Sequence, residues 1–164
     1  MRLKGKVALL AGVGPGMGRA TAILFAQEGA RLALVARRQE HLADTAAQVQ
    51  AAGGEVLALP ADISVRAGAE RAVQEAVANY GRLDVVYCGA GGFFEPGRDF
   101  SQIDEAYWRQ ALHNTLDSVF NLAQAARPVM REQGGGSLVV VAASFHVRQE
   151  GNPAYGAAKG GILG

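Results

Sequence analysis

The chain has 164 residues, of which 49% are hydrophobic and 19% are charged, and this is enough for one globular domain, spanning 1–164, with a buried core. Its formal net charge of +1 gives it no bulk attraction for nucleic acid or for an anionic membrane surface. The lone cysteine, Cys88, excludes an internal disulfide and fits a cytoplasmic location. The N-terminus lacks a signal-peptide arrangement, and no apolar run approaches the ~20 residues of a membrane span.

The first predicted elements are a strand, a glycine-rich turn and a helix. Val7–Ala11 forms a short apolar run, which is typical of a buried strand. Glycines follow at 12, 14, 16 and 18, and a helix is predicted from Ala20. Glycine lets a backbone approach a ligand closely, and a helix N-terminus offers free N–H groups to a pyrophosphate. The alternative is a tight turn without a ligand.

The rest of the chain alternates strands and helices. Further strands are predicted at 31–36, 55–59, 83–88 and 137–143. Helices are predicted at 41–52 and 66–80, from an N-cap at Ser101 through Trp108, at 114–131, and from Asn152-Pro153 onward, after an irregular stretch. This alternation predicts an α/β fold with a doubly wound, Rossmann-type parallel sheet.

Several polar or glycine-rich segments come directly after predicted strands. They are the glycine loop, Arg37, Asp62, the run 89–92 and Ser144. Because the carboxyl ends of parallel strands meet at one edge of the sheet, these segments should line a common ligand site.

Tyr155 and Lys159 form a Y-xxx-K pair on the last predicted helix. Residues at i and i+4 share one helix face. A neighbouring ammonium and a helix N-terminus both favour the phenolate, so this arrangement should lower the phenol pKa from about 10 toward neutrality. Such a tyrosine can exchange a proton with a carbonyl oxygen. The alternative is a surface pair placed by chance.

Three segments together resemble the short-chain dehydrogenase/reductase family, and the resemblance covers the whole chain. They are the Gly12-xxx-Gly16-x-Gly18 loop, with Ala11 where the family has Thr, the Y-G-A-A-K segment at 155–159, and Asn114 in H-N-T-L-D-S-V-F. The resemblance implies that Tyr155 is the catalytic acid/base, that Lys159 lowers its pKa and that Asn114 holds a water of the proton relay. The implied cofactor-binding residues are Gly12, Gly14, Gly16, Met17, Gly18, Arg37, Arg38, Asp62, Ile63, Gly89, Ala90, Gly91, Tyr155 and Lys159. Alternatives are a solvated polar residue at a helix start for Asn114 and a helix-capping turn for Asp62.

The chain departs from the family pattern in three places. The family's N-N-A-G reads Cys88-Gly89-Ala90-Gly91, so an amide side chain is lost. The position of the catalytic serine falls on Ala143, and a shortened loop to Tyr155 would let Ser144 orient the substrate carbonyl instead. The family also continues through two further strands and a substrate-binding loop.

The end of the second strand indicates the cofactor. Family members that prefer NAD carry an acidic residue there, whereas this chain has Ala36 followed by Arg37-Arg38. Guanidinium groups suit a 2′-phosphate, so NADP(H) is expected over NAD(H). The alternative is a pair of solvated arginines.

These observations predict an NADP(H)-dependent oxidoreductase that interconverts a small-molecule carbonyl and an alcohol. The family resemblance, with small residues on the last helix, implies a homo-oligomer, either a dimer or a tetramer. The alternatives are a non-catalytic nucleotide-binding or assembly protein of the same fold, or an inactive fragment of a longer enzyme. No metal is expected, because His41, His113 and His146 lack metal-ligand spacing.

Overall fold

A computed structural model describes residues 1–164 and contains one parallel sheet of five strands in the order β3-β2-β1-β4-β5. The strands are β1 (Val7–Ala11), β2 (Arg31–Ala36), β3 (Val56–Pro60), β4 (Val85–Cys88) and β5 (Ser137–Val140). The helices are α1 (Met17–Gln27), α2 (Gln39–Ala51), α3 (Arg66–Tyr80), α4 (Glu105–Leu112), α5 (Ser118–Glu132), α6 (Phe145–Glu150) and α7 (Pro153–Gly161). The predicted doubly wound α/β fold is confirmed.

The central strand β1 fixes the position of the ligand crevice. It pairs with β2 on one side and with β4 on the other, so the chain order reverses beside it. Its five residues are fully buried. Alternate residues face opposite cores: Leu9 packs toward α3 and α5, and Leu10 packs toward α1 and α2. Ligands in such sheets bind at the carboxyl ends of the strands where this reversal occurs.

Strand β5 forms one edge of the sheet and is shorter than predicted. The last ladder bond runs from the N–H of Val141 to the carbonyl of Cys88 at 3.0 Å. Residues 142 and 143 have no strand partner because β4 ends at Cys88. Leu138 and Val139 are 44% and 45% exposed, which leaves an apolar strand at the open edge. The predicted bounds of β3 and β4 differ from the observed ones by one or two residues.

Two predicted helix starts are wrong. Helix α1 begins at Met17, since Gly16 adopts φ 102° at the N-cap and the helix follows at once. Ser101 lies inside a 3-10 turn, Phe100–Gln102, and α4 is capped instead by Asp104, whose carboxylate accepts from the N–H of Tyr107 at 2.7 Å. The N-cap of α4 is therefore Asp104, which directly precedes the helix, and not Ser101.

The remaining helices refine the prediction. A π-helical turn, His113–Asp117, joins α4 to α5, so that the predicted helix 114–131 is not a separate element but the continuation of α4. The stretch expected to be irregular contains α6. The Asn152 cap is confirmed, because its side chain accepts from the N–H of Tyr155 at 3.0 Å with Pro153 at the helix start. None of the helices has both the length and the apolar character that crossing a membrane requires.

Candidate active site

The glycine loop after β1 is held in close contact with its neighbours. A Cβ atom on Gly12 would lie 2.6 Å from the backbone nitrogen of Ala90, and one on Gly18 would lie 2.1 Å from the carbonyl oxygen of Gly12. Gly12 also has φ 83°, a conformation that side chains disfavour. Glycine at positions 12 and 18 therefore allows backbone contacts that any residue with a side chain would prevent.

The start of α1 fits an anionic group. The Gly16 N-cap has no side chain to satisfy the first turn, and the N–H groups of Met17 and Gly18 donate to no acceptor. Free amides and the positive end of the helix dipole together stabilise phosphate oxygens. The residues at this position thus fit the pyrophosphate of a dinucleotide.

A cavity of about 210 Å³ opens beside this loop at the carboxyl ends of the strands. It is lined by ten of the residues predicted for the site: Gly12, Gly14, Arg37, Arg38, Asp62, Ile63, Gly89, Ala90, Gly91 and Asn114. Five further lining residues are Val35, Ala36, His41, Ala61 and Ser118. Six predicted residues lie outside the lining: Gly16, Met17 and Gly18 at the start of α1, and Ser144, Tyr155 and Lys159.

Arg37 reaches across this cavity. Its Nη1 atom donates to Oδ1 of Asn114 at 2.9 Å and lies 3.7 Å from Oδ2 of Asp62. Burial would raise the pKa of Asp62, but hydrogen bonds from the hydroxyl and N–H of Ser64, together with the Arg37 charge, hold it below its usual value. Asp62 therefore forms a turn with Ser64 and lines the cavity, but it does not cap α3, whose N-cap Val65 has no side-chain capping bond.

Asn114 lies in the π-helical turn between α4 and α5. Its side chain is buried, with 8% exposure, and its carbonyl accepts from the hydroxyl of Ser118 at 3.0 Å. The alternative of a solvated residue at a helix start does not fit this placement. Single π turns within α-helices occur frequently at functional sites because they redirect side chains.

Tyr155 and Lys159 are both buried on one face of α7, with 9% and 5% exposure. Nζ of Lys159 donates to the carbonyl of Val141 at 2.7 Å, and a Cβ on Gly91 would lie 3.2 Å from the same atom. The Tyr155 ring packs edge-on against Phe94, with 5.2 Å between centroids. A chance pair on the surface would not be buried in this way.

The protonation of this pair differs from the sequence-based expectation. Burial raises the pKa of Tyr155 rather than lowering it, and burial also lowers the pKa of Lys159, an effect that the nearby Cys88 opposes. The ammonium is engaged by the Val141 carbonyl, so desolvation dominates at the phenol. Tyr155 is thus protonated at neutral pH, which is the form that donates a proton.

Ser144 begins α6 as its N-cap. Its hydroxyl oxygen accepts from the N–H of Val147 at 3.3 Å, and the residue is exposed. The neighbouring Ala143 carbonyl accepts from Nη1 of Arg148 at 2.6 Å. Among the hydrogen bonds of the structure, none joins Ser144 to Tyr155 or to the cavity.

Tyr87 explains the departure at Gly89, and sequence reasoning missed it. A Cβ on Gly89 would lie 2.8 Å from Cε1 and 2.9 Å from the hydroxyl oxygen of Tyr87. The phenol therefore fills the space of a side chain at position 89, and its buried hydroxyl has no hydrogen-bond partner. The i, i+2 spacing of Tyr87 in β4 and Gly89 directly after it was the signal that places both residues on one face. Cys88 is buried beside them, and burial raises the pKa of its thiol.

His41 is a second cavity residue that the prediction omitted. The sequence did carry a signal for it. Helix α2 starts directly after Arg37-Arg38, so its third residue, His41, lies close to the end of β2. No group of three His, Cys, Asp or Glu side chains in the structure is arranged to hold a metal ion.

Comparison with known proteins places this chain in a family. The family model for short chain dehydrogenase matches residues 6–164. The chain is 34% identical to 3-oxoacyl-(acyl-carrier-protein) reductase FabG of Thermotoga maritima, covering 100% of this chain and 66% of that protein. It is 36% identical to levodione reductase of Leifsonia aquatica, covering 99% of this chain and 62% of the relative.

Solved structures agree. A levodione reductase structure superposes with a TM-score of 0.92 at 34% identity, covering 99% of this chain and 64% of that one. A structure of NAD⁺-bound xylitol dehydrogenase gives a TM-score of 0.92 at 27% identity, covering 99% of this chain and 63% of that one. The chain thus spans about two thirds of the length of these relatives, and it belongs to the short-chain dehydrogenase/reductase family.

Proposed function

We propose that this protein is an NADP(H)-dependent oxidoreductase that interconverts a small-molecule carbonyl and an alcohol. One observation carries the proposal: Lys159, which is buried with Tyr155 on one face of α7, adjoins a glycine of the cavity lining. Gly91 lines that cavity, and its Cβ position is 3.2 Å from Nζ of Lys159. A proton donor and a dinucleotide cavity at the same sheet edge are what carbonyl reduction requires.

The proposed mechanism assigns a role to each of these side chains. When bound, the nicotinamide cofactor supplies or accepts a hydride at the substrate carbon. In the reductive direction, the Tyr155 hydroxyl donates its proton to the carbonyl oxygen, and its raised pKa keeps it protonated until then. The Lys159 ammonium stabilises the resulting phenolate. Asn114 holds a water of the relay that returns a proton to Tyr155, and Ser144 orients the substrate carbonyl.

The preference for NADP(H) rests on the end of β2. No carboxylate is present at Ala36, and two arginines follow it in the cavity lining. Xylitol dehydrogenase, by contrast, is described in complex with NAD⁺. We therefore expect the purified chain to bind NADPH at least tenfold more tightly than NADH in a fluorescence titration, as a charge-assisted phosphate contact predicts.

Arg37→Asp tests this assignment. The change places a carboxylate beside the ribose site and should weaken NADPH binding by at least about tenfold while improving NADH binding. Arg66→Asp, at the exposed start of α3, is the matched change of charge and should leave both affinities unaltered. Tighter binding of NADH than NADPH by the wild type would contradict the assignment.

A non-catalytic nucleotide-binding or assembly protein is the second candidate. The position of Ser144 as a helix cap and the loss of the amide at Gly89 favour it. Oxidation of NADPH measured against a panel of ketones and aldehydes separates the two functions, since binding without turnover would support the second. We also propose that the protein is cytoplasmic, from its lone buried cysteine, and that it forms a dimer or tetramer.

A further inference from the structure

The connection between β4 and α4 contains one residue in a strained conformation. Phe93 adopts φ 65°, and every other residue with a positive φ in the structure is a glycine. A bulky residue in this left-handed region persists only where its surroundings hold it there, and such strain is concentrated at ligand-binding sites. The contacts that Phe93 makes therefore fix the course of the backbone at this point.

Asn152 ties this strained residue to the helix that carries Tyr155. It is buried, with 1% exposure. Its Oδ1 accepts from the N–H of Tyr155 at 3.0 Å, and its Nδ2 donates to the carbonyl of Phe93 and, at 3.0 Å, to the hydroxyl of Tyr107. An amide supplies an acceptor and two donors together, which neither a carboxylate nor a hydroxyl does. The one side chain of Asn152 thus caps α7 and holds the Phe93 backbone.

Phe94 follows the held residue and packs on the proposed proton donor. The ring centroids of Phe94 and Tyr155 are 5.2 Å apart, and the ring planes meet at 71°. Gly151 lies against both rings, since a Cβ there would be 2.6 Å from Cδ1 of Tyr155 and 3.3 Å from Cδ2 of Phe94. Phe94 nevertheless remains 45% exposed. A carbonyl compound whose oxygen accepts from Tyr155 therefore lies beside an open aromatic surface.

The charged side chains that follow Phe94 are paired within their own loop. Glu95 forms an ion pair with Arg98 at 2.7 Å, and that guanidinium lies over the Tyr107 ring, 4.5 Å from its centroid. The surface beside Phe94 is thus offered as an apolar ring and not as a charge. A phenyl ring gains most from a second aromatic ring that it meets edge-on or offset. An aromatic group on the substrate supplies that partner, whereas an acyclic alkyl chain does not.

We propose that Phe94, held in place by Asn152, is a specificity-determining residue that selects carbonyl compounds with an aromatic ring beside the carbonyl group. This inference rests on the proposed function, because it concerns the substrate that exchanges a proton with Tyr155. Phe94 contacts the substrate ring. Asn152 acts through the Phe93 backbone and is a positioning residue.

The test compares acetophenone with 2-butanone as substrates for NADPH-dependent reduction. The wild type should prefer acetophenone, and Phe94→Ala should lower the ratio of the two kcat/KM values by about two- to tenfold, which is the worth of one aromatic pair. Asn152→Ser and Asn152→Asp keep an oxygen that caps α7 and lose both donors, so they should lower the same ratio. Phe100→Ala, which removes an exposed ring from the same connection, is the control and should keep the wild-type ratio.

A second measurement does not depend on turnover. Tyr155→Phe keeps the ring that packs against Phe94 and lacks the hydroxyl that donates the proton. Saturation-transfer NMR on this variant should show tighter binding of acetophenone than of 2-butanone. Adding Phe94→Ala to it should remove most of that difference.

The outcomes separate this inference from the proposed function. If the wild type reduces both ketones and Phe94→Ala leaves the ratio unchanged or raises it, the specificity role is overturned and the function stands. A ratio that falls in Phe94→Ala but stays at the wild-type value in both Asn152 variants overturns the positioning role of Asn152. If the wild type reduces no compound of a wider carbonyl panel, the function is overturned and the binding data decide the inference. Equal binding of the two ketones, or a preference that survives the loss of the Phe94 ring, then overturns it as well.

Discussion

Replacing Gly18 by alanine tests the close contact between α1 and the glycine loop. The new Cβ would lie 2.1 Å from the carbonyl oxygen of Gly12 and 3.0 Å from Cα of Val13. Both contacts are to backbone, so no side-chain rotation relieves them. The start of α1 must move by roughly 1 Å to restore an ordinary separation of about 3.3 Å between carbon and oxygen.

The cost can be estimated from this overlap. Overpacking of a buried site costs about 1–3 kcal/mol, and the gain in helix propensity from glycine to alanine returns at most about 1 kcal/mol. Because a 2.1 Å contact with backbone is severe, we take the cost at about 3 kcal/mol and expect a net loss of about 2 kcal/mol for Gly18→Ala, which lowers the Tm of a domain of this size by about 4–8 °C. Because the N–H groups of Met17 and Gly18 move with the helix, NADPH affinity should fall at least about tenfold.

Gly14→Ala is the matched control for stability. Its Cβ would meet only Nδ1 of His41, at the ordinary contact distance of 3.6 Å. Thermal unfolding followed by circular dichroism should place this variant within about 0.5 kcal/mol of the wild type. A Gly18→Ala protein with the Tm and NADPH affinity of the wild type would refute the reasoning, since it would mean that the loop carbonyl leaves room for a methyl group.

Three further predictions concern catalysis, acid stability and association. Because the Ser144 hydroxyl is proposed to orient the substrate, Ser144→Ala should lower kcat by about 100-fold or more and leave NADPH affinity nearly unchanged. Near-normal turnover, with a Tm loss of only about 1–3 °C, would limit Ser144 to capping α6. Burial would raise the pKa of Asp84, but hydrogen bonds from Arg82 and the N–H of Val7 outweigh it and the pKa is lowered. Its contribution to stability is therefore present above the unfolded pKa of about 3.9 and is lost as pH falls through the lower folded value; Asp84→Asn should flatten the acid limb of urea unfolding measured against pH, and an unchanged limb would contradict this. Exposed Phe120, Leu138 and Val139 lead us to expect a dimer or larger species that tends to aggregate, and a stable monomer in sedimentation at micromolar concentration would rule this out.

The sequence alone determined the fold and most of the candidate site. Local patterns suffice for this, because a continuous apolar run such as 31–36 is stable only when both faces are covered, which requires a parallel sheet. The order of strands and helices then brings the segment after each strand to one edge. Arg37, Asp62 and Gly89 were assigned to one site in this way and line one cavity, whereas Ser144, assigned with them, does not line it.

Only the tertiary structure decided which groups touch. The contact of Arg37 with Asn114 joins residues 77 positions apart, and no local pattern encodes it. The pKa of Tyr155 depends on how deeply α7 is buried, which a Y-xxx-K spacing does not report. Tyr87 fills the space that a side chain at position 89 would occupy, so packing requires glycine where the family has an amide side chain. Spacing along the chain fixes which face a side chain takes, whereas burial, hydrogen bonding and pKa depend on neighbours that are distant in sequence.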